Sequence, residues 1–227
     1  MIDTETLATR GFAVIPGLIG PDECRSLAAR WPDKASFRSH VIMQRHGYGR
    51  GEYQYFTYPL PDPVDQLRQA LYPPLAEVAN RWNEQLGREK RFPLTLEAWL
   101  AECHAGGQKR PTPLLLRYGP GDYNCLHRDL YGDLVFPLQT VILLSDPGRD
   151  FAGGEFMLVE QRPRMQSRGE VVPLRQGDAV VFAVNERPVQ GTRGFHRTAM
   201  RHGVSSLRPG ELRAERFTLG IIFHDAA

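Results

Sequence analysis

The residues best placed for chemistry are His127, Arg128 and Asp129, at the end of the stretch LLLRYGPGDYNCLHRD that runs from Leu114 to Asp129. An apolar, strand-like run leads into Tyr118, a Gly119-Pro120-Gly121 turn follows, and a second extended piece ends at His127. Residues two apart in a strand share a face, so His127 and Asp129 aim an imidazole and a carboxylate at one point. Those are two of the three ligands of a 2-His-1-carboxylate triad, a donor set that leaves open positions on a non-haem Fe(II). Arg128, between them, is expected to point away from the metal and to have no catalytic role. His-Arg-Asp-Leu also imitates a protein-kinase catalytic loop, but the asparagine expected five residues after Asp129 is Leu134, and no Asp-Phe-Gly follows.

The second imidazole has three candidates, His196, His202 and His224. His202 is favoured because it ends an extended run and precedes a turn, Leu207-Arg208-Pro209-Gly210, that leads to a strand starting at Arg216. His196 begins the same run, and His224 ends the last strand beside Asp225.

The elements that must position these groups can be read from periodicity. From residue 112 onward, strand-like runs fall at 113–118, 123–127, 135–144, 154–160, 170–174, 179–184, 195–201 and 216–223, separated by Gly-, Pro- and Asp-rich turns. Eight short strands without intervening helices imply a closed or sandwiched all-β unit. Upstream, 12–18 reads as a short strand broken by Pro16, and Pro21-Asp22-Glu23 opens a helix that reaches Trp31. Leu67, Leu71, Leu75, Val78 and Trp82 form a helical stripe that Pro73-Pro74 is expected to break or kink into a helix pair. Residues 101–111 read as a loop with His104 exposed. In 36–58, aromatic residues including Tyr53 and Tyr55 alternate with arginines and histidines, the pattern of a hairpin. It either lines a substrate cleft or packs its rings at a sheet edge.

The chain has 227 residues, 41% hydrophobic and 24% charged, as expected for one globular domain. No apolar run reaches membrane-spanning length, and the N-terminus has no signal-peptide character. Cys24, Cys103 and Cys125 form no CxxC and read as reduced thiols of a cytoplasmic protein, Cys125 as core filler. Net charge is +2, but residues 161–227 carry 11 Arg against six acidic residues. That asymmetry suits a polyanion-binding face, or merely arginine-favouring codon usage.

With these residues in view, the chain resembles the Fe(II)/2-oxoglutarate-dependent dioxygenases. Their signature is His-x-Asp, then a distant His, then a basic residue on the last core strand. Arg117-Tyr118-Gly119-Pro120-Gly121, six residues before His-x-Asp, is similar to the matching strand of the AlkB-type nucleic-acid dealkylases, although Leu116 and Ile222 replace an asparagine and a second arginine of that group. Gly153-Gly154-Glu155-Phe156 is similar to prolyl-hydroxylase-type members. GEYQYF, PLQT, EQRPR and GIIFHD together resemble a bacterial family suspected of demethylating damaged DNA.

The resemblance implies a mainly β fold with flanking helices, an α+β double-stranded β-helix or jelly roll. Residues 111–227 would form its core, and 1–110 a helical support plus a substrate-side hairpin. It implies Fe(2+) on His127, Asp129 and His202, with O2 and 2-oxoglutarate as co-substrates. Arg216, Thr218 and Tyr118 would hold 2-oxoglutarate, with Arg208 and Arg213 as rivals to Arg216. The expected partner is single-stranded or damaged DNA or RNA, met by Tyr53, Tyr55, Arg162, Arg164 and Arg168. Hydroxylation of a protein side chain or a small metabolite, and a non-enzymatic metal- or anion-binding domain, are the competing readings.

Overall fold

The computed structural model of the chain describes residues 2–130, 132–210 and 215–227. Helix α1 (Thr4–Arg10) is started by Asp3, whose carboxylate accepts the Thr6 amide at 2.9 Å. Then come β1 (Phe12–Ile15), α2 (Pro21–Ala28), β2 (Phe37–Ile42), β3 (Gly49–Arg50), β4 (Glu52–Phe56), α3 (Asp62–Gln85) and α4 (Leu96–Ala105). The β-rich half comprises β5 (Leu114–Tyr118), β6 (Tyr123–His127), β7 (Leu138–Leu143), β8 (Phe156–Gln161), β9 (Arg168–Val172), β10 (Ala179–Ala183), β11 (Glu186–Gly191), β12 (Gly194–Val204) and β13 (Arg216–Ile222).

The strands form two sheets. The larger has the order β1-β10-β7-β13-β5-β4-β2, and the smaller β3-β6-β12-β8-β9, with β11 paired to β12. All these pairings are antiparallel. This is the double-stranded β-helix expected. The strands buried on both faces lack the apolar–polar alternation of a half-exposed strand. Every residue of β7 and β10 is buried, Gln139 and Thr140 included. Behind the larger sheet, Tyr72 and Trp82 of α3 and Trp99 of α4 pack with Phe136, Ile221 and Phe223 in one core.

Several expectations are corrected. Residues 62–85 form one helix running through Pro73 and Pro74, not a broken pair. The two prolines forfeit amide bonds to Gln69 and Ala70, but buried Leu71, Tyr72, Leu75, Ala76, Val78 and Ala79 anchor the helix on both sides of them. Residues 101–105 are helical, because α4 starts at a Thr95 cap and carries the chain to Gly106. His104 is therefore not a loose loop histidine; its Nε2 lies 2.8 Å from Asp225. Strand β11 had no counterpart in the predicted runs; Pro188, which cannot donate to a ladder, disguises it, and the strand pairs with β12 alone. Residues 36–58 are a hairpin, β2 with β4, and β4 continues the larger sheet by pairing with β5. Cys24 and Cys103 are buried, but Cys125 is exposed and fills no core.

Candidate active site

Strand register assembles the site. His202 on β12 is the direct partner of His127 on β6, so two imidazoles 75 positions apart stand on neighbouring strands with ring centroids 4.2 Å apart. The ladder slips between His202 and Val204, where Gly203 lets β6 come close: a Cβ there would lie 2.7 Å from the Asn124 carbonyl oxygen. Asp129 arrives differently from the strand-parity expectation. Strand β6 ends at His127, and the turn after it brings the carboxylate round to the rings. Its oxygens lie 3.4 Å from His127 Nε2 and 3.3 Å from His202 Nε2. One donor atom from each of the three residues lies within 4.8 Å of the other two.

The His127 Nδ1–H donates to the Cys125 carbonyl at 2.7 Å, which leaves Nε2 as the lone-pair atom facing the other two groups. Burial would raise the Asp129 carboxyl, but the two imidazoles outweigh it and hold the group well below the usual carboxylate range. Burial also opposes charge on both rings. At His127 the carboxylate wins and the pKa rises; at His202 burial and the neighbouring ring win and it falls.

A second cross-strand pair lies deeper. Arg216 of β13 is opposite Tyr118 of β5, and Thr218 is opposite Leu116. The Arg216 guanidinium is buried, donates to Thr218 Oγ1 at 2.6 Å and lies 5.5 Å from the centre of the Tyr118 ring. Its Nε has no partner, and among the described residues no carboxylate forms an ion pair with it. Burial lowers its pKa to about 10, against the pull of Tyr118 and Glu155, so the group stays charged at neutral pH. Tyr118 is buried too, its hydroxyl pushed up to about 12 and accepting from Asn124 Nδ2 at 3.4 Å. Gly154 abuts this pair: at φ +62, a Cβ would lie 3.0 Å from Arg216 Cδ. The Gly153-Gly154 turn thus makes room for the arginine.

All six residues line one cavity of about 400 Å³. Its remaining walls include Met43, Tyr48, Tyr53, Leu130, Val141 and Phe156, and Asp129 is the one carboxylate among its described lining residues. Tyr53 lines it as expected, but Tyr55 does not. It shares Tyr53's face of β4, yet is buried against Leu114 and Ile222 with the Arg38 guanidinium over its ring. Arg162, Arg164 and Arg168 also lie off the cavity, on and beyond the β8–β9 turn. Arg208 is exposed and off the cavity, and Arg213 lies outside the described residues. His224 is buried and its Nδ1 accepts the Phe136 amide at 3.2 Å, while His196 sits opposite Val189 in the β11–β12 hairpin. Arg128, expected to point away from the metal, lines the cavity as an exposed residue with its side chain bonded to Asn185.

The donor set suits Fe(II), and a buried guanidinium without a built-in counter-ion suits one carboxylate of a dicarboxylate. Fold and site together define the class of Fe(II)/2-oxoglutarate-dependent oxygenases. More narrowly, the chain belongs to a family of oxygenases described as catalysing oxidative methylation of damaged DNA, whose profile matches residues 51–226. Uncharacterised proteins from two strains of Mycobacterium tuberculosis, CDC 1551 and H37Rv, are 45% identical to it over 228 residues, covering 92% of this chain and 96% of theirs. Among solved structures, it shares its fold with a prolyl-4-hydroxylase from Pseudomonas putida (TM-score 0.53, 17% identity, 99% of this chain and 97% of that one). A 2OG-Fe(II) oxygenase-family oxidoreductase from Burkholderia pseudomallei is similar at TM-score 0.55, with 16% identity over 99% of this chain and 91% of that one.

Proposed function

We propose that this oxygenase removes methyl groups from alkylated nucleic-acid bases, with iron held by His127, Asp129 and His202 and 2-oxoglutarate held by Arg216, Thr218 and Tyr118. The observation that carries the reading is the cavity. It brings the candidate ligands His127, Asp129 and His202, the buried Arg216 without a carboxylate partner among the described residues, and the rings of Tyr48 and Tyr53 around one space large enough for an unstacked base.

Iron held by His127, Asp129 and His202 and 2-oxoglutarate held at Arg216 would supply the oxidising power, with O2 giving one oxygen atom to the substrate and the other to succinate formed with release of carbon dioxide. A hydroxylated N-methyl group departs as formaldehyde, so the net change at the base is loss of methyl. The chain's own residues do the placing. The Cys125 carbonyl fixes the His127 tautomer, and the β6–β12 register sets the spacing of the two rings. Arg216, with the Thr218 and Tyr118 hydroxyls, gives a distal carboxylate a charge-assisted fork in a site shielded from water. Met43, Val141 and Val204 contribute apolar wall that excludes bulk solvent.

Outside the cavity, Arg162, Arg164 and Arg197 frame a shallow groove suited to the flanking strand, and Arg168 stands beyond it against Glu170. The free cysteines fit a reducing cytoplasm, and no helix among the described residues is long and apolar enough to cross a membrane. The deciding experiment is mass spectrometry of a methylated-oligonucleotide panel incubated with enzyme, iron and 2-oxoglutarate. Loss of methyl from at least one base is expected, and none in Asp129→Ala, which should also lose its iron. A panel left fully methylated, with 2-oxoglutarate still consumed, would reject nucleic acid as substrate while keeping the oxygenase chemistry.

A further inference from the structure

The cavity has a cation at each end. Arg216 closes the deep end; Arg128 stands at the rim, exposed, between the candidate ligands His127 and Asp129. Its NH1 donates to Asn185 Oδ1 at 2.9 Å. Asn185 is itself pinned, because its carbonyl accepts the Met200 amide at 2.7 Å, two residues before His202 on β12. The guanidinium is thus held against a neutral amide anchored to the strand that carries the second imidazole.

Several arginines beside that strand are paired with acids, although Arg164, Arg193 and Arg201 have no carboxylate partner among the described residues. Arg162 and Arg187 share Glu160, Arg168 pairs with Glu170, and Arg88 and Arg197 meet Glu186. Among the described residues, Arg128 has no such carboxylate. A tether without a counter-charge fixes the side chain's place and leaves its charge and remaining N–H donors uncommitted. Next to it, Leu130 is 48% exposed, and the Tyr48 ring, 51% exposed, stacks on His46; both line the same rim. A fixed cation beside exposed stacking surface suits a nucleotide better than a free base, since it pairs a phosphate with an adjacent ring.

We propose that Arg128 is a substrate-positioning residue that binds the phosphodiester flanking the target base, so that the enzyme distinguishes a nucleotide in a strand from a free nucleoside. This rests on the nucleic-acid reading above. The arginine acts from the rim by holding the strand, and has no role in the oxidation itself.

The test uses the iron-loaded enzyme with wild-type Arg128, Arg128→Gln and Arg128→Lys. In the first arm, binding of a labelled single-stranded oligonucleotide is measured by fluorescence anisotropy across a salt series. Loss of one phosphate contact should flatten the log–log salt slope by about 0.7 in Arg128→Gln, while Arg128→Lys keeps the slope. In the second arm, turnover of a methylated nucleoside is compared with that of its 3′- and 5′-phosphorylated forms. The wild-type preference for a phosphorylated form, expected to be roughly tenfold from one charge-assisted contact, should fall toward unity in Arg128→Gln and be partly kept in Arg128→Lys. An unchanged slope and preference in Arg128→Gln, with methylated base still oxidised, overturns the assignment of Arg128 and leaves the proposed function standing. Wild-type enzyme that neither binds the oligonucleotide nor oxidises any methylated base overturns both. A melting temperature lowered equally in both variants, with the phosphate preference intact, makes the residue structural and overturns the proposal.

Discussion

Of the three arginines buried among the described residues, Arg68 and Arg216 are the most enclosed, at 1% and 2% exposure, and the chain treats these two in opposite ways. Arg68 of α3 is given a complete set of partners. Its Nε donates to the Ile222 carbonyl at 2.9 Å, and its NH2 to Asp225 Oδ1 at 2.8 Å. The other Asp225 oxygen takes the Tyr58 hydroxyl and lies 2.8 Å from His104 Nε2. That cluster ties α3, α4 and the chain end beyond β13 together, with all three guanidinium nitrogens engaged. Arg216 has one hydroxyl, Thr218, and a facing ring, Tyr118, with Nε unpartnered. Taking a charge out of water costs several kcal/mol unless a counter-charge repays it. At Arg68 the sequence supplies that counter-charge; at Arg216 a bound dicarboxylate would. A buried charge left unmatched inside a cavity points to a ligand, whereas a matched one points to architecture.

The contrast can be broken first at its closed side. Arg68→Ala should destabilise the fold by about 3–5 kcal/mol in urea unfolding, because Asp225 is left buried without its cation. An effect below about 1 kcal/mol would mean that the cluster is not the staple described. Next comes acid. Burial, with Arg68 nearby, depresses His224 to about 4 from 6.5. Between those values the unfolded chain binds a proton that the native state refuses, so stability is complete above pH 6.5 and falls as pH drops toward 4. The loss should be about 3 kcal/mol at 1.36 kcal/mol per pKa unit, and His224→Gln should remove that part of the pH slope. An unaltered slope would place the acid sensitivity elsewhere. The smallest effect sharpens the open side: Arg216→Gln should raise the 2-oxoglutarate requirement at least roughly tenfold, about 1.4 kcal/mol. It should leave the ligand-free melting temperature unchanged or higher, since an uncompensated charge is gone. A requirement that stays put would move the anchoring role to another cation.

How much of this was legible beforehand follows from the range of each signal. His127, Asp129 and His202 could be picked out because a ligand set needs particular residue types, and an extended run ending in a turn is a local pattern. The alternation that put Arg216 and Thr218 on one face was local as well, and the two side chains do bond to each other. Tyr55 shows where parity stops. It shares a face with Tyr53, but only the three-dimensional course of β5 and β13 decides that Leu114 and Ile222 cover it. Alternation also stops at the end of β6, so it could not say where Arg128 goes. The Asn185 tether, 57 positions away, left no mark in the local pattern. The continuous α3 was obscured for a similar reason, since proline's local penalty was visible and the long-range packing that overrides it was not.

The register described for the two pairs implies an asymmetry in how firmly each wall of the cavity is held. Arg216 and Thr218 sit on β13, the middle strand of seven, whereas His127 ends β6, flanked on one side by the two-residue β3 and followed directly by the turn that carries Asp129 and Arg128. Amides interior to a sheet exchange with solvent last and those near a thin border exchange first. The Arg216 wall is therefore the more firmly laced side of this cavity and the end of β6 the more thinly laced one, so amides of β13 should outlast those of β6 in hydrogen exchange.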